Sequence, residues 1–568
     1  MAEPQFDVIV VGSGAGGAVS ALTLTRAGLR VLMLEAGRHY DPVTETPMFN
    51  SHIDAPLGNM PTAERRPRFF DPIIGGTSIE GEPYTVAEGS AYSWLRTRML
   101  GGRTNAWWGL APRFGPYDFK NFSRDGHGFD WPVTYDDMAP YYDKIEQMVG
   151  LFGVSDSYEN EPGSPEGVLQ PPPPMRAYEL FIKAGFESFG IPVKTAPTAI
   201  LTQPKDDRQA CFYATDCRRG CSIGAKFQTP TSLIPLAMRT GNLTLRTDAM
   251  VNRVLTDENG RASGVRYADK KTGAMEEVTA RAVVLAASTY ETARLLLVSG
   301  SAQHPNGLAN RSGQVGRNCT NTLNFKSTAH FPVLEGRPQY NEDGVSVPHM
   351  YVPWWGYKQQ AEGTLDFPRG YHFQIYGDRV GPPGVSTGTA IAPAGLAWGR
   401  ELKQQARKRY GAFVHIEMLG EMLPNADSYM DLDPAVVDKW GTPVPRFHWK
   451  IGEADRKMIR HAYDMTQKLV DRLGGRLLDV DDSIEDNSDG AGGSHETGAA
   501  RMGASPEDSV VNDVSQCWDV DNLVLADGSV FATHPHKNPT LTIMALSLRA
   551  SEALAARVTA EKSRGGVQ

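Results

Sequence analysis

The chain has 568 residues, a formal net charge of −9, 40% apolar residues and a mean hydropathy of −0.36. This composition is ordinary for a soluble globular protein, and its acidic balance gives no support for binding nucleic acid or an anionic membrane surface. No run reaches the ~18 apolar residues of a membrane span. The first residues lack the basic segment of an export signal, so the sequence alone predicts cytoplasmic synthesis with no export signal of its own.

Residues 7–35 predict a strand, a glycine turn, a helix and a second strand. The first apolar run ends at Gly12, and Gly14 and Gly17 complete a GxGxxG pattern. In such a unit the first glycine permits the tight turn, the second lets a dinucleotide pyrophosphate approach, and the third lets the helix pack on the strand. Glu35 ends the second strand, where its carboxylate can accept hydrogen bonds from a ribose diol. The pattern does not separate FAD from NAD.

The middle of the chain alternates turns, helices and strands. A second glycine-rich turn, RTRMLGGRTNAWWG, occupies 96–109, and the proline-rich stretch 161–174 predicts a stiff, extended linker. The apolar run 280–288 predicts a buried strand of a parallel sheet. Short alternating runs over 310–450 predict an antiparallel sheet, and the stretch ADRKMIRHAYDMTQKLVDRLGG that follows predicts an amphipathic helix.

Three of the five cysteines lie within eleven residues, in CFYATDCRRGC: Cys211, Cys217 and Cys221. Thiolates are the usual ligands of iron–sulfur clusters, and three of them suit a [3Fe–4S] cluster better than a [4Fe–4S] cluster. Arg218 and Arg219 could offset the negative charge of such a cluster. Ordinary thiols, one disulfide with a spare thiol, and zinc remain open, although a structural zinc site requires four ligands.

The C-terminal region carries the candidate chemistry, in SHETGAARMG and HPHKNPTLTIMALS. The imidazole of His495 could accept a proton from an alcohol, because its ordinary pKa lies near neutral pH. Asn538 could hold the alcohol oxygen while hydride leaves the same carbon. Three alternatives remain open: His495 could be an ordinary loop histidine, Asn538 could only cap the helix that follows it, and His534 or His536 could be the base.

These motifs resemble those of the glucose–methanol–choline (GMC) oxidoreductase family, and the resemblance covers nearly the whole chain. The segments GSGAGG, GGRTNAWWG, AVVLAAS and LVLADGSVF…NPTLTIMALS occur in the family's order. The resemblance implies a Rossmann-like FAD-binding domain and alcohol oxidation beneath a substrate sheet. It also implies that His495 is the general base and that Asn538 occupies the second active-site position, which is histidine or asparagine in the family.

The resemblance implies further cofactor contacts along the isoalloxazine, at the adenine, and near the ribitol and pyrophosphate: respectively Gly102 and Asn105, Val251, and Asp527 with Gly528. Some family members tether the flavin through a histidine in the isoalloxazine turn. The matching position here is Ala106, so non-covalent FAD is expected.

The expected fold class is α/β, with a Rossmann-like FAD-binding domain interleaved with an α+β substrate domain built on an antiparallel sheet. The FAD-binding domain is predicted to combine residues 1–40, 90–125, 235–315 and 490–568. The substrate-binding domain is predicted to combine 41–89, 126–234 and 316–489, with the cysteine loop at 211–221.

The cysteine spacing resembles that of the catalytic subunits of FAD-dependent bacterial sugar dehydrogenases. This resemblance implies oxidation of a secondary alcohol of a sugar or glycoside, foremost the pyranoside C3 hydroxyl to a 3-ketone, with electrons leaving through the cluster to a cytochrome-type acceptor. It also implies a small subunit with a twin-arginine signal and periplasmic location by co-export. The alternatives are a pyranose or C-glycoside oxidase that uses O2, a glucose or gluconate dehydrogenase acting at another carbon, a non-enzymatic flavin-binding electron-transfer subunit, and an NAD-dependent enzyme.

Overall fold

The structure is a computed structural model that describes residues 4–45, 79–212, 217, 220–337, 350–377, 399–480 and 495–565. The strands are β1 Phe6–Val11, β2 Val31–Leu34, β3 Thr85–Val86, β4 Lys194–Thr195, β5 Leu243–Arg246, β6 Ala249–Thr256, β7 Ala262–Asp269, β8 Met275–Leu285, β9 Leu323–His330, β10 Met350–Val352, β11 Tyr371–Tyr376, β12 Phe413–Gly420, β13 Tyr429–Val437, β14 Pro443–His448, β15 Arg476–Val480 and β16 Leu523–Leu525. The helices are α1 Ala15–Arg26, α2 Pro42–Glu45, α3 Asn121–Asp125, α4 Tyr135–Val149, α5 Ala177–Glu187, α6 Leu233–Arg239, α7 Thr289–Val298, α8 Tyr357–Ala361, α9 Arg400–Arg409, α10 Glu453–Arg472 and α11 Thr540–Gly565.

The first sheet carries the dinucleotide motif. Its order is β5-β2-β1-β8-β7-β6, with β16 also paired to β8. The pairings that join β5, β2, β1, β8 and β16 are parallel, whereas β7 and β6 continue antiparallel from the first half of β8. Residues 7–11 of β1 and all of β2 are buried. The helix α1 packs against β1, β2 and β8, and α11 packs against α1 and β16. Parallel strands need such a covering layer because their faces are apolar.

The second sheet has six antiparallel strands in the order β15-β9-β12-β11-β10-β4. The helix α10 packs against β9, β12 and β15. Its buried side chains Met458, Ile459, Ala462 and Met465 recur at helical spacing, as the amphipathic pattern predicted. The α/β fold class, with one largely parallel and one antiparallel sheet, is confirmed.

The strands of the first sheet come from the ranges predicted for the FAD-binding domain, and those of the second from the ranges predicted for the substrate domain. The boundaries between the two domains stay a prediction. A small third sheet, β13-β14-β3, also belongs to the substrate side of the prediction. Within the described ranges, no helix is long and apolar enough to cross a membrane.

Candidate active site

One cavity of about 420 Å3 is lined by residues from both large sheets and from both ends of the chain. Nine of the residues singled out in the sequence line it: Gly12, Gly14, Glu35, Gly102, Val251, His495, Asp527, Gly528 and Asn538. The dinucleotide loop and the C-terminal histidine–asparagine pair therefore belong to the same cavity.

The glycines of the N-terminal loop differ in the space around them. A Cβ on Gly12 would lie 2.2 Å from the carbonyl oxygen of Ala286, and a Cβ on Gly17 would lie 2.0 Å from that of Gly12. A Cβ on Gly14 would meet nothing within 4 Å. Gly12 and Gly17 are thus required by backbone packing, whereas Gly14 leaves open space at the N-terminus of α1, where a helix attracts phosphate. This cradle fits the pyrophosphate of a dinucleotide.

Glu35 joins the loops that surround this end of the cavity. One carboxylate oxygen accepts hydrogen bonds from the backbone N–H and the hydroxyl of Ser13, and the other accepts one from the backbone N–H of Gly37 at 2.6 Å. The Ser13 hydroxyl oxygen also accepts from the backbone N–H of Gly101 at 2.8 Å. The carboxylate therefore has a fixed position at the cavity wall, where it can accept hydrogen bonds from a ribose diol.

The second glycine turn forms a short 3-10 helix over Gly102–Asn105. Gly102 and Ala106 line the cavity. Asn105 does not, because it is fully buried and its amide donates to the carbonyl oxygen of Leu100 at 2.8 Å. Its side chain stabilises the turn, and its contact with the isoalloxazine stays a prediction.

At the C-terminal wall, Asp527 has both carboxylate oxygens engaged. It accepts hydrogen bonds from the backbone N–H of Ser529 at 2.9 Å and from the hydroxyl of Thr292 at 2.5 Å. Burial raises the pKa of its carboxyl above the ordinary value, although these hydrogen bonds oppose the rise. Asp527 therefore holds the turn that brings Gly528 to the cavity.

His495 is half-buried at the cavity and is held through three contacts. Its backbone N–H donates to Asn321 Oδ1 at 3.1 Å, its Nδ1 lies 2.8 Å from Thr322 Oγ1, and its Nε2 lies 3.4 Å from Asn538 Nδ2. Because the Asn538 amide can only donate through Nδ2, the imidazole carries its proton on Nδ1 and exposes a lone pair on Nε2. This is the tautomer that a base acting through Nε2 requires.

The electrostatic surroundings of His495 keep its imidazole neutral. Burial is the largest cause, and the neighbouring His534, Arg103 and His372 act in the same direction, so the pKa of His495 lies well below 6.5. Arg103, on the second glycine turn, forms a salt bridge with buried Glu496 at 2.5 Å. This ion pair joins that turn to the residue that follows His495.

The rival histidines do not line the cavity. His534 is fully buried, its Nε2 lies 3.1 Å from the carbonyl oxygen of Lys537, and burial lowers its pKa to about 4. His536 is also buried, with its Nδ1 3.2 Å from His372 Nδ1. Neither can reach an alcohol in the cavity, which leaves His495 as the candidate base.

Sequence reasoning missed several residues around the pair. Thr322, Asn324, Gln374 and Glu417 line the same cavity from the antiparallel sheet and the residue that precedes β9. Only the period-two alternation of strands could have placed Gln374 and Glu417 on one face, and nothing local could have shown that this face meets His495.

The three cysteines Cys211, Cys217 and Cys221 do not line the cavity. Cys217 is buried with Phe152 and Ile200, and Trp108 and Cys211 pack against this group. Across the described residues, no three His, Cys, Asp or Glu side chains gather in a group that could hold a metal ion. The described residues therefore give no support to the predicted [3Fe–4S] cluster, and we derive no step through one.

The chain belongs to the GMC oxidoreductase family, whose N-terminal and C-terminal domain models match residues 6–323 and 424–547. It is therefore an enzyme that oxidises alcohol groups, and members of the family bind FAD. The empty space at Gly14 and the fixed Glu35 fit that cofactor.

Two relatives align along nearly the whole chain. A 2-methyl-1,2-propanediol dehydrogenase of Mycolicibacterium austroafricanum is 32% identical over 97% of this chain and 96% of its own length. The fructose dehydrogenase large subunit of Gluconobacter japonicus is 28% identical over 96% of this chain and 97% of its own length.

The fold also matches a solved structure. The crystal structure of pyridoxine 4-oxidase from Mesorbium loti superimposes with a TM-score of 0.63 at 16% identity, covering 97% of this chain and 99% of that one. At this identity the match supports the shared fold only.

Proposed function

We propose that this enzyme oxidises a secondary alcohol of a sugar or glycoside, foremost the C3 hydroxyl of a pyranoside to a 3-ketone, with non-covalently bound FAD. The observation that carries the proposal is the 3.4 Å separation of His495 Nε2 and Asn538 Nδ2 at a polar wall of the cavity. A hydroxyl that contacts both atoms from the cavity side donates its proton to the imidazole and accepts a hydrogen bond from the amide. The polar side chains on the same cavity, Asn324, Gln374 and Glu417, form a polar wall that supplies partners for the remaining hydroxyls.

The polar wall suits a polyhydroxylated ring. Asn324 Nδ2 donates to Glu417 Oε1 at 3.2 Å, and both side chains line the cavity with Gln374. Trp108 lies on the same cavity, where an indole ring offers an apolar face for the C–H groups of a pyranose. The fructose dehydrogenase relative supports a sugar substrate.

The side chains divide the chemistry as follows. Bound FAD would supply the hydride acceptor. Asn538 Nδ2 holds the substrate oxygen, which directs the C–H bond that must break. His495 Nε2 accepts the hydroxyl proton as the carbon–oxygen bond becomes a carbonyl. Thr322 Oγ1 accepts a hydrogen bond from Nδ1–H, which stabilises the imidazolium in place. Since Ala106 occupies the tether position, the flavin is held without a covalent bond.

A panel of alcohols tests the substrate. Under anaerobic conditions, alkyl pyranosides should bleach the flavin absorbance, and the product should be the 3-ketone by NMR. The matched 3-deoxy pyranoside lacks the reacting hydroxyl and should leave the flavin oxidised. If pyranosides fail and a small vicinal diol bleaches the flavin, the enzyme is a diol dehydrogenase, the second candidate, which the propanediol dehydrogenase relative favours. Glucose and gluconate as the best reductants would indicate oxidation at another carbon.

The lowered pKa of His495 predicts the pH dependence of the reaction. The neutral imidazole is the reactive form, and burial beside Arg103 places its protonation well below pH 6.5. The value of kcat/KM should therefore stay constant from neutral into mildly acidic solution and fall only below the lowered pKa. An acid limb at or above the ordinary histidine pKa would contradict this environment. The measurement is kcat/KM for the best alcohol across acidic and neutral buffers.

We further propose that the electrons leave to a cytochrome-type protein, and that a small subunit with a twin-arginine signal carries the enzyme to the periplasm. The fructose dehydrogenase relative is named as a large subunit, which supports an enzyme with partner subunits. Trp108 lines the cavity and packs against the group that contains Cys217. Lys226 Nζ also donates to the carbonyl oxygens of Asn105 and Cys217, which joins the two loops.

Iron and acid-labile sulfide measured on the purified holoenzyme test whether the predicted cluster exists. Stoichiometric iron would show that the cysteines gather around a metal when it is supplied. Absence of iron together with rapid peroxide formation would favour the oxidase alternative.

A further inference from the structure

A continuous series of hydrogen bonds runs behind the histidine–asparagine pair. Gln374 Nε2 donates to Asn538 Oδ1 at 3.1 Å and lies 2.9 Å from His372 Nε2. His372 Nδ1 lies 3.2 Å from His536 Nδ1. The members of this series are all nearly inaccessible to solvent, with exposed fractions of 2% for Gln374, 0% for His372, 2% for His536 and 8% for Asn538.

The direction of each hydrogen bond follows from the Gln374 amide. Its Nε2 carries two protons and no lone pair, so both Asn538 Oδ1 and His372 Nε2 must accept. His372 then carries its proton on Nδ1 and donates a hydrogen bond to His536 Nδ1. His536 therefore carries its own proton on Nε2, for which the described residues supply no hydrogen-bond partner. Burial lowers the pKa values of His372 and His536 well below 6.5, which keeps both rings neutral and able to fill these roles.

The same direction decides what Asn538 offers to the substrate. A primary amide can present either its oxygen or its nitrogen to a neighbour, and the two orientations have nearly the same shape. With Oδ1 bound to Gln374, the Nδ2 group faces His495. The reverse orientation would present Oδ1 to His495 Nε2, which would then have to carry a proton and could not accept one.

We propose that Gln374 is a positioning residue that fixes the orientation of the Asn538 amide, and through it the His495 tautomer that accepts the substrate proton. The proposal rests on the roles of His495 and Asn538 given under the proposed function. Gln374 acts from β11, whose backbone is paired on both sides with β10 and β12. The rigid sheet therefore sets the orientation of a side chain that lies in the loop before α11.

The substitution Gln374→Glu tests this with little change of shape. An ionised carboxylate cannot donate, so it faces Asn538 Oδ1 and His372 Nε2 with lone pairs only. The Asn538 amide should turn over to donate to it, and His495 should then hold its proton on Nε2. We expect the rate of flavin reduction to fall about 100-fold, the cost of a misplaced reacting group, with a smaller change in KM.

The pH profile of this variant separates positioning from general damage. Once protonated, the introduced carboxyl can donate to Asn538 Oδ1 again. The rate of flavin reduction should therefore recover in acid and fall as the pH rises. The wild-type enzyme should lack this alkaline fall in rate. The group would titrate well above an ordinary carboxyl, because the position is buried and pairs across the sheet with Glu417. Other titratable or charged groups also face this region, namely His372, His536, His495, His534, Lys537 and Arg103.

A second readout does not depend on turnover. In the 15N-histidine-labelled holoenzyme, the His495 resonances, identified by their loss in His495→Ala, should report a proton on Nδ1 in the wild type and on Nε2 in Gln374→Glu. The variant Gln374→Leu removes both donors without adding charge. It should lower the reduction rate in the same direction without creating the alkaline limb, which keeps the test valid if the carboxyl variant fails to fold.

Gln359→Glu is the matched control, because Gln359 is exposed and does not line the cavity. It should keep the wild-type rate and pH profile. The positioning role is overturned if Gln374→Glu and Gln374→Leu keep the wild-type rate, or if the rate falls while the His495 tautomer and the pH profile stay unchanged. If His495→Ala itself keeps wild-type turnover, the proposed function fails and the positioning role fails with it.

Discussion

Replacing His495 with alanine should lower the rate of flavin reduction by about 10²- to 10⁴-fold, the range for loss of a general base. The protein should still bind FAD, because the open space at Gly14 and the fixed carboxylate of Glu35 lie in other segments. The measurement is stopped-flow bleaching of the flavin with saturating alcohol. Retained flavin with lost reduction would also reject a purely electron-transferring flavoprotein.

The control for this substitution is His127→Ala. His127 is exposed and does not line the cavity, so its loss should leave reduction unchanged. A His495→Ala enzyme that reduces its flavin at the wild-type rate would show that another group accepts the proton. The buried positions of His534 and His536 leave neither able to replace it.

The substitution Lys537→Met should destabilise the fold by about 3–5 kcal/mol, the cost of leaving buried charges without their partner. Lys537 Nζ is fully buried, donates to Asp118 Oδ2 at 2.8 Å and to the carbonyl oxygen of Asn160, and lies 3.4 Å from Glu161 Oε1. Burial alone would lower the pKa of Lys537, but the two carboxylates outweigh it and raise the pKa. Removing the ammonium takes away the ion pair of Asp118, which keeps hydrogen bonds from Gly115 and Asn160. Glu161 keeps Lys194 Nζ at 3.4 Å.

The same change at an exposed ion pair isolates the effect of burial. Lys144 Nζ lies 2.9 Å from Glu552 Oε1, with side chains 52% and 41% exposed, so Lys144→Met should cost at most about 1 kcal/mol. Urea unfolding of the two variants measures the difference. Equal midpoints would contradict the buried network. Adding Asp118→Asn to Lys537→Met should recover part of the loss, because it removes one of the stranded charges.

The local parts of the structure were accessible from the sequence because their signals are local. The glycine spacing at Gly12, Gly14 and Gly17 predicts a strand, turn and helix that the structure contains. The helical spacing of α10 and the alternation in β11 are likewise encoded within a few residues. Each of these predictions needed only one period of a repeating backbone geometry.

The remaining parts depend on contacts between distant segments. Thr322 and Gln374 meet His495 and Asn538 across more than a hundred positions of sequence, and no local pattern marks either residue. The side chain of Asn105 is buried and donates to the carbonyl oxygen of Leu100, a contact that its motif position does not reveal. The cysteine spacing suggested ligands, and the structure shows Cys217 and Cys211 packed with Phe152 and Ile200, a contact between distant segments.

The cavity walls are distributed along nearly the entire polypeptide, from Val11 in β1 to Ile543 in α11. During synthesis on the ribosome, the glycine loop that binds the nucleotide emerges early. Its pocket is complete only after β16 and α11 have been synthesised. Capture of the coenzyme should therefore be a late event, after translation has nearly finished. Folding would then proceed through an apoprotein whose apolar central strands are only partly covered, which is the stage at which aggregation competes. Supplying riboflavin during expression should therefore raise the yield of soluble protein. The free energy of unfolding of the purified holoenzyme should change little.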